Sequence, residues 1–465
     1  MTYLRPAWLA LSACLCAGTA LGQGVTLPDV HRVELDNGAV FILDEKHDVP
    51  LIGVEAIIRG GAVTDPSGKS GMSSLLAGML KKGAGDRDAA TFAEAIGAVG
   101  ASLEARAGLE SITISGEFLA RDADLMLELL VDMLRAPTLG YTEMKKLRDR
   151  KINFIRAAKD SDLRPLAPAY GNASLFGEHP YGNPVDGNEE SLAKISQREL
   201  RAYYGEHVGA DRLIIAVVGD FDAAAMSDTL SAAFGDWQKA AAPLPEFEAP
   251  VPEEGRRVLL VDKPGATQSY FWIGNVGVAV GFPQRAELDI ANTLFGGRFT
   301  SLLMAELRTK AGLTYGARSV LLRPSRPGSV SINSYTRTET TIEAIDLALA
   351  LLAQLHETGF DEEAIQSGKN YILGQFPPRL ETAAQLAAQF AFLEAHGLDA
   401  AFVNDYGAAI LAASPEAIQS VIGSVYPEPD NLVFVVLGDA ELLRNDIAKY
   451  GPVTEIAITE PRFRP

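Results

Sequence analysis

The chain has 465 residues, of which 47% are hydrophobic and 22% charged, enough apolar material for two or more folded domains and too much for extended disorder. A formal net charge of -19 excludes the basic footprint that unassisted nucleic-acid binding requires. No stretch is long and apolar enough to span a bilayer as a helix, so no transmembrane segment is expected.

In chain order, residues 1–22 read as a signal peptide. Arg5 supplies a short positive region and Ala7 to Ala20 an apolar run. Ala20-Leu21-Gly22 then offers small residues where a signal peptidase reads, so cleavage is expected before Gln23. A second processing route stays open: Leu11-Ser12-Ala13-Cys14 fits a lipoprotein box, which would anchor the chain through a lipidated Cys14. Cys14 and Cys16 are the only cysteines. Cleavage before Gln23 therefore leaves no disulfide, thiol nucleophile or thiolate ligand.

Val33 and Leu35 alternate with Arg32, Glu34 and Asp36, and Asn37-Gly38 then signals a tight hairpin into Val40 to Leu43. Further strands are predicted at Leu51 to Ile58 and Ser111 to Phe118. Helices are predicted at roughly 71–80, 89–99, 122–134 and 142–158, with Pro137 stopping the third and Thr142 capping the fourth. Strands and helices mix without regular βαβ alternation. The fold class that follows is α+β, each half a largely antiparallel sheet with helices packed on one face.

The second half echoes the first. Asp211 to Asp220 and Asp430 to Asp439 are both aliphatic runs ending in Gly-Asp, each preceded by a helix with a serine cap, Ser196 or Ser414. Ser74-Leu-Leu-Ala77 is matched by Ser301-Leu-Leu-Met304. An internal duplication of about 220 residues accounts for both echoes. Between the halves, prolines 243, 245, 250 and 252 mark residues 240–256 as an extended linker. The expected domains are thus 23–239 and 257–465.

Chemistry is sparse. The six histidines (His31, His47, His179, His207, His356, His396) never recur at the three- to five-residue spacing that zinc sites use. His179, in Glu178-His-Pro-Tyr-Gly182, reads as a structural turn residue. There is no Gly-x-Ser-x-Gly elbow and no phosphate-cradling loop, and the Gly296-Gly297 pair reads as a close backbone approach.

Leu35-Asp-Asn-Gly38, Gly60-Gly-Ala-Val-Thr-Asp-Pro66, Gly71 to Met79, Leu134-Arg-Ala-Pro137, His179-Pro-Tyr-Gly182, Val217-Val-Gly-Asp220, Phe295-Gly-Gly297 and Leu307 to Tyr315 follow one another in a recognisable order. Together they resemble the insulinase/pitrilysin (inverzincin) metallopeptidase family over nearly all of the mature chain. That family binds zinc through H-x-x-E-H on a helix. The matching positions here are Ser74, Ala77 and Gly78, and the family's third ligand, a glutamate farther on, falls near Asn153, Phe154 and Ile155. All four positions lack the required side chain, so the resemblance implies no metal in this chain.

The resemblance also implies a peptide-gripping pair, Arg308 and Tyr315, from the second half. Arg308 can donate paired hydrogen bonds to peptide carbonyls, and the Tyr315 hydroxyl can donate to the oxyanion of a tetrahedral intermediate. The plain structural alternative makes Arg308 a surface residue at a helix C-terminus and Tyr315 half-buried packing. Where the family places Asn-Ala on the strand that pairs with substrate, this chain has Glu104-Ala105. The expected function is a non-zinc subunit of a periplasmic two-chain peptidase, working on short peptides with a homologous zinc-bearing partner. The alternative is a catalytically inert scaffold or peptide-binding protein of the same fold.

Overall fold

The computed structural model describes residues 24–465; the expected signal peptide and the Cys14 anchor lie outside the described residues. The first half is a six-stranded mixed sheet built from β1 (His31–Glu34), β2 (Val40–Glu45), β3 (Leu51–Arg59), β4 (Ser102–Ala107), β5 (Ser111–Leu119) and β6 (Leu213–Gly219). Their spatial order is β1-β2-β6-β3-β5-β4. The second half repeats five of these strands with β7 (Arg257–Asp262), β8 (Gln268–Val276), β9 (Ala317–Leu322), β10 (Ser329–Arg337) and β11 (Val433–Gly438), and takes its outer strand, β12 (Val453–Ala457), from the C-terminal end, in the order β9-β10-β8-β11-β7-β12.

The duplication extends to strand register. β3 pairs antiparallel with β5 from Leu51↔Leu119 to Arg59↔Ser111, and β8 pairs with β10 from Gln268↔Arg337 to Val276↔Ser329. The aliphatic runs ending in Gly219 and Gly438 form β6 and β11, buried along their whole length because each lies inside its sheet. Ser196 and Ser414 cap the preceding helices as expected, accepting from Glu199 N and Ala417 N. Most strand pairs are antiparallel, while β2/β6, β11/β7 and β12/β7 are parallel.

The first-half helices fall where their patterns put them, including α1 (Met72–Leu80) and α2 (Tyr141–Asp160). The cap of α2 is a correction. Gly140 is its N-cap with no side-chain bond, and Thr142 lies one residue inside the helix. The chain leaves Leu139 at φ 44 just before, so the helix starts earlier than a threonine cap would allow.

Each sheet carries helices of its own half on one face and a helix of the other half on the opposite face. α3 (Ala167–Phe176), from the first half, packs across β8 and β11 of the second sheet. α4 (Ala383–His396), from the second half, packs across β3 and β6 of the first. Two glycines permit this exchange. A Cβ on Gly53 of β3 would lie 2.4 Å from the Ala384 backbone nitrogen, and one on Gly171 of α3 would lie 2.4 Å from the Trp272 ring. Residues 240–256 have no regular structure, yet Phe247 packs edge-on against His179 and Tyr181. The fully buried Arg212 donates to Ala242 O. The linker is therefore seated against the first half.

Candidate functional site

The zinc-motif positions sit on α1, whose start is fixed from a distance. The buried Asp65 carboxylate accepts from Gly71 N (2.7 Å) and Ser73 N (2.8 Å), supplying acceptors that the helix sequence lacks. Burial pushes Asp65 up to about 7, against the pull of those backbone donors. Gly71 and Gly187 then meet backbone to backbone: a Cβ on Gly71 would lie 2.8 Å from the Gly187 Cα. That contact brings the loop carrying Asp186 alongside the helix.

Ser74, Ala77 and Gly78 are packed into protein. The Ser74 hydroxyl donates to Asp186 Oδ1 at 2.7 Å and accepts from Lys151 Nζ at 2.7 Å, while Lys151 and Asp186 pair at 2.9 Å. Ala77 is buried, and a Cβ on Gly78 would lie 2.7 Å from Leu147 Cδ2. An ammonium from α2 therefore stands against the position of the first family histidine, and a leucine methyl fills the space of the second. The expected third-ligand window carries no carboxylate. Asn153 and Phe154 point to solvent and Ile155 into the core, whereas the α2 side chain that reaches Ser74 is Lys151. Among the described residues, no group of three or more His, Cys, Asp or Glu could hold a metal ion. His179 is a turn residue: its Nδ1 accepts from Tyr181 N, and its Nε2 meets Glu248 O.

Arg308 and Tyr315 come together in the second half. Arg308 lies in a π-helical segment, Met304–Lys310, and its guanidinium carbon lies over two rings, 4.6 Å from the centroid of Phe299 and 4.5 Å from that of Tyr315. Both rings are largely in solvent, at 71% and 74% exposed, so half-buried packing does not describe Tyr315. The turn that presents Tyr315 is anchored by hydroxyls. Thr336 Oγ1 donates to Leu313 O (2.6 Å), Ser334 Oγ donates to Gly316 O (3.0 Å), and Thr314 Oγ1 accepts from Gly316 N (3.0 Å). Leu313 N closes back on Leu307 O at 2.9 Å, and Gly312 supplies the left-handed corner at φ 64. Gly296 approaches β9 directly, since its Cβ would lie 2.2 Å from Ser319 N.

A guanidinium lying over aromatic rings can keep edge N–H groups free for acceptors such as carbonyl oxygens, and such stacking lowers the entropy lost on forming those bonds. Phe299 was missed from sequence because nothing marks an aromatic at that spacing as a partner of Arg308. The hydroxyl anchors were missed because β-strand Ser and Thr are usually silent.

The first-half counterpart is arranged differently. β4 is an unpaired sheet edge, Glu104 is exposed on it, and Lys81 from the end of α1 pairs with Glu104. Ala105 faces the core.

Comparison with known proteins agrees with this layout. Residues 40–189 match the family profile described as insulinase (peptidase family M16), and residues 194–372 match that described as the peptidase M16 inactive domain. An uncharacterized zinc protease, YmxG, of Bacillus subtilis is 24% identical over 356 residues, covering 76% of this chain and 85% of that one. A non-peptidase homolog, also named YmxG, of Helicobacter pylori is 25% identical over 346 residues, covering 73% and 78%. The crystal structure of a peptidase M16 inactive domain from Pseudomonas fluorescens superposes with a TM-score of 0.81 at 22% identity, covering 89% of this chain and 98% of that one.

Proposed function

The chain belongs to the insulinase (M16) peptidase family as an inactive homologue, and from that premise we propose that it is the non-zinc subunit of a secreted, periplasmic two-chain peptidase. In this reading a homologous partner carries the zinc and activates the water. Arg308 holds carbonyl oxygens of a short peptide, and Tyr315 donates to the oxyanion as it forms on the peptide bond attacked in the partner's site. The observation that carries the reading is the contrast between the two halves. The zinc positions are filled and internally bonded, while Arg308 lies over two solvent-facing rings and its guanidinium makes no hydrogen bond or ion pair among the described residues.

The deciding experiment is peptide cleavage by this chain alone, by a zinc-bearing homologue from the same organism alone, and by the mixture. Cleavage by the mixture that collapses with Arg308→Ala/Tyr315→Phe is the expected result. Cleavage that ignores both substitutions, or that needs no contribution from this chain, sinks the role. A second reading, an inert scaffold or peptide-holding protein, is favoured by the similarity to a relative described as a non-peptidase homolog. It predicts that the mixture is no more active than the partner alone.

A further inference from the structure

A separate cleft lies where the two halves meet, with a volume of about 530 Å3. Its floor is the face of β3 turned away from the main core. Alternation along the strand puts Glu55, Ile57 and Arg59 on that face, with Phe392 of α4 and Phe247 of the linker as apolar walls. The size is that of a small-molecule site.

Two charged groups on the floor of this cleft have no ion-pair partner among the described residues. Glu55 is 9% exposed and has no ion pair among the described residues, and burial holds its carboxyl above the usual carboxylate range, with Ser115 pulling it down in part. Arg59 donates from Nη2 to Asp211 O at 2.8 Å, while its Nε is buried without a partner. The two cannot satisfy each other, because four strand residues set their Cα atoms roughly 13 Å apart.

Two further titratable groups inside the cleft, Glu110 and His396, have partners of their own. Glu110 accepts from Tyr181 OH (2.6 Å), Ser325 N (2.8 Å) and Ser325 Oγ (2.9 Å). His396 lies 3.1 Å from Ser325 Oγ, and burial holds its pKa below the ordinary histidine value. Glu246 and Arg326 are exposed at the rim.

Buried charges are normally paired, because an open one carries a large desolvation penalty. A ligand bearing an ammonium at one end and a carboxylate at the other would complete Glu55 and Arg59 together. We infer that this cleft binds a short zwitterionic peptide, its free N-terminus at Glu55 and its free C-terminus at Arg59, with aliphatic side chains against Phe247 and Phe392. An extended chain advances about 3.3–3.6 Å per residue, so two to roughly four residues span the gap once the reach of the arginine is subtracted. The site uses neither Arg308 nor Tyr315 and stands whether or not those residues act on substrate.

The test is calorimetric titration of the full chain with Ala-Leu-Ala, its N-acetylated form and its C-terminal amide. The free tripeptide should bind, and each cap should weaken binding at least about tenfold, a loss of about 1.4 kcal/mol. Glu55→Gln should abolish the penalty for acetylation only, and Arg59→Met the penalty for amidation only. The penalty for each cap should persist in Arg308→Ala, which tells peptide held in the cleft from peptide held at the second-half site and separates failure here from failure of the proposed catalytic role. No binding up to about 10 mM, or equal binding of free and doubly capped peptide, overturns the site. The capped peptides probe the unaltered chain, so a variant that misfolds leaves the test intact.

Discussion

The Ser74 region of the first half and the Arg308 region of the second occupy corresponding places in a duplicated fold and differ in how their bonds are spent. In the first, a hydroxyl, an ammonium and a carboxylate close on one another, and Leu147 fills the remaining space. In the second, the backbone is tied down by Thr336, Ser334 and Thr314 while the side chains it presents face solvent. Bonds directed inward hold structure, whereas a rigid backbone beneath exposed groups is what recognition requires, since pre-organised groups lose less entropy on binding.

The sharpest way to break this contrast is at the open site. Arg308→Ala/Tyr315→Phe should lower cleavage by the two-chain mixture by about 10²–10³, the range for loss of an oxyanion donor. Stability should move by no more than about 0.5 kcal/mol, because the side chains are exposed. Steady-state kinetics beside a denaturant melt reads both numbers, and a large stability loss would place these residues with structure.

The closed site should respond the opposite way. Gly78→His reinstates a family residue, but Leu147 occupies the space. The expected cost is about 1–3 kcal/mol in chemical denaturation, relieved in part by adding Leu147→Ala. An unchanged midpoint would mean that Leu147 moves aside freely.

Asp65 at the head of α1 gives the closed site a pH signature. Its folded pKa of about 7 lies above the ordinary carboxylate value of about 3.9, so the native state holds the proton more tightly. Its contribution to stability is full below about pH 4 and is lost as pH rises through about 7. The stability difference between wild type and Asp65→Asn should therefore change across that window and flatten above it. A pH-independent difference would show that the backbone donors keep Asp65 ionised throughout.

The smallest effect is expected from Lys151→Met. The Asp186 side chain is 78% exposed, so solvent screening limits the loss to about 1 kcal/mol or less, with no change in the activity of the mixture.

Much of this molecule was legible in the sequence. Alternation in Val33 to Asp36, the Asn37-Gly38 turn, the aliphatic runs ending in Gly219 and Gly438 and the serine caps are local signals, and local geometry answered them. Thr142 failed as a cap because a local preference yielded to the path of the chain through Leu139 and Gly140. That Lys151 is the α2 side chain meeting Ser74 was not legible, because the direction of a side chain on α2 depends on what α2 packs against.

The sequence by itself determined the duplicated α+β halves, the absence of zinc-binding side chains at 74, 77 and 78, and the presence of Arg308 and Tyr315. Those are matters of composition, period and order along the chain. Only the tertiary structure decided that Lys151 and Asp186 meet Ser74 from 77 and 112 residues away. It also decided that Arg308 lies over Phe299 as well as Tyr315, that α3 and α4 are exchanged between the sheets, and that Glu55 and Arg59 face one cleft. Periodicity reports which face of an element is apolar, but not which distant element covers it. That choice is made when whole surfaces are buried together, and here the missing Cβ at Gly53 and Gly71 leaves room for it.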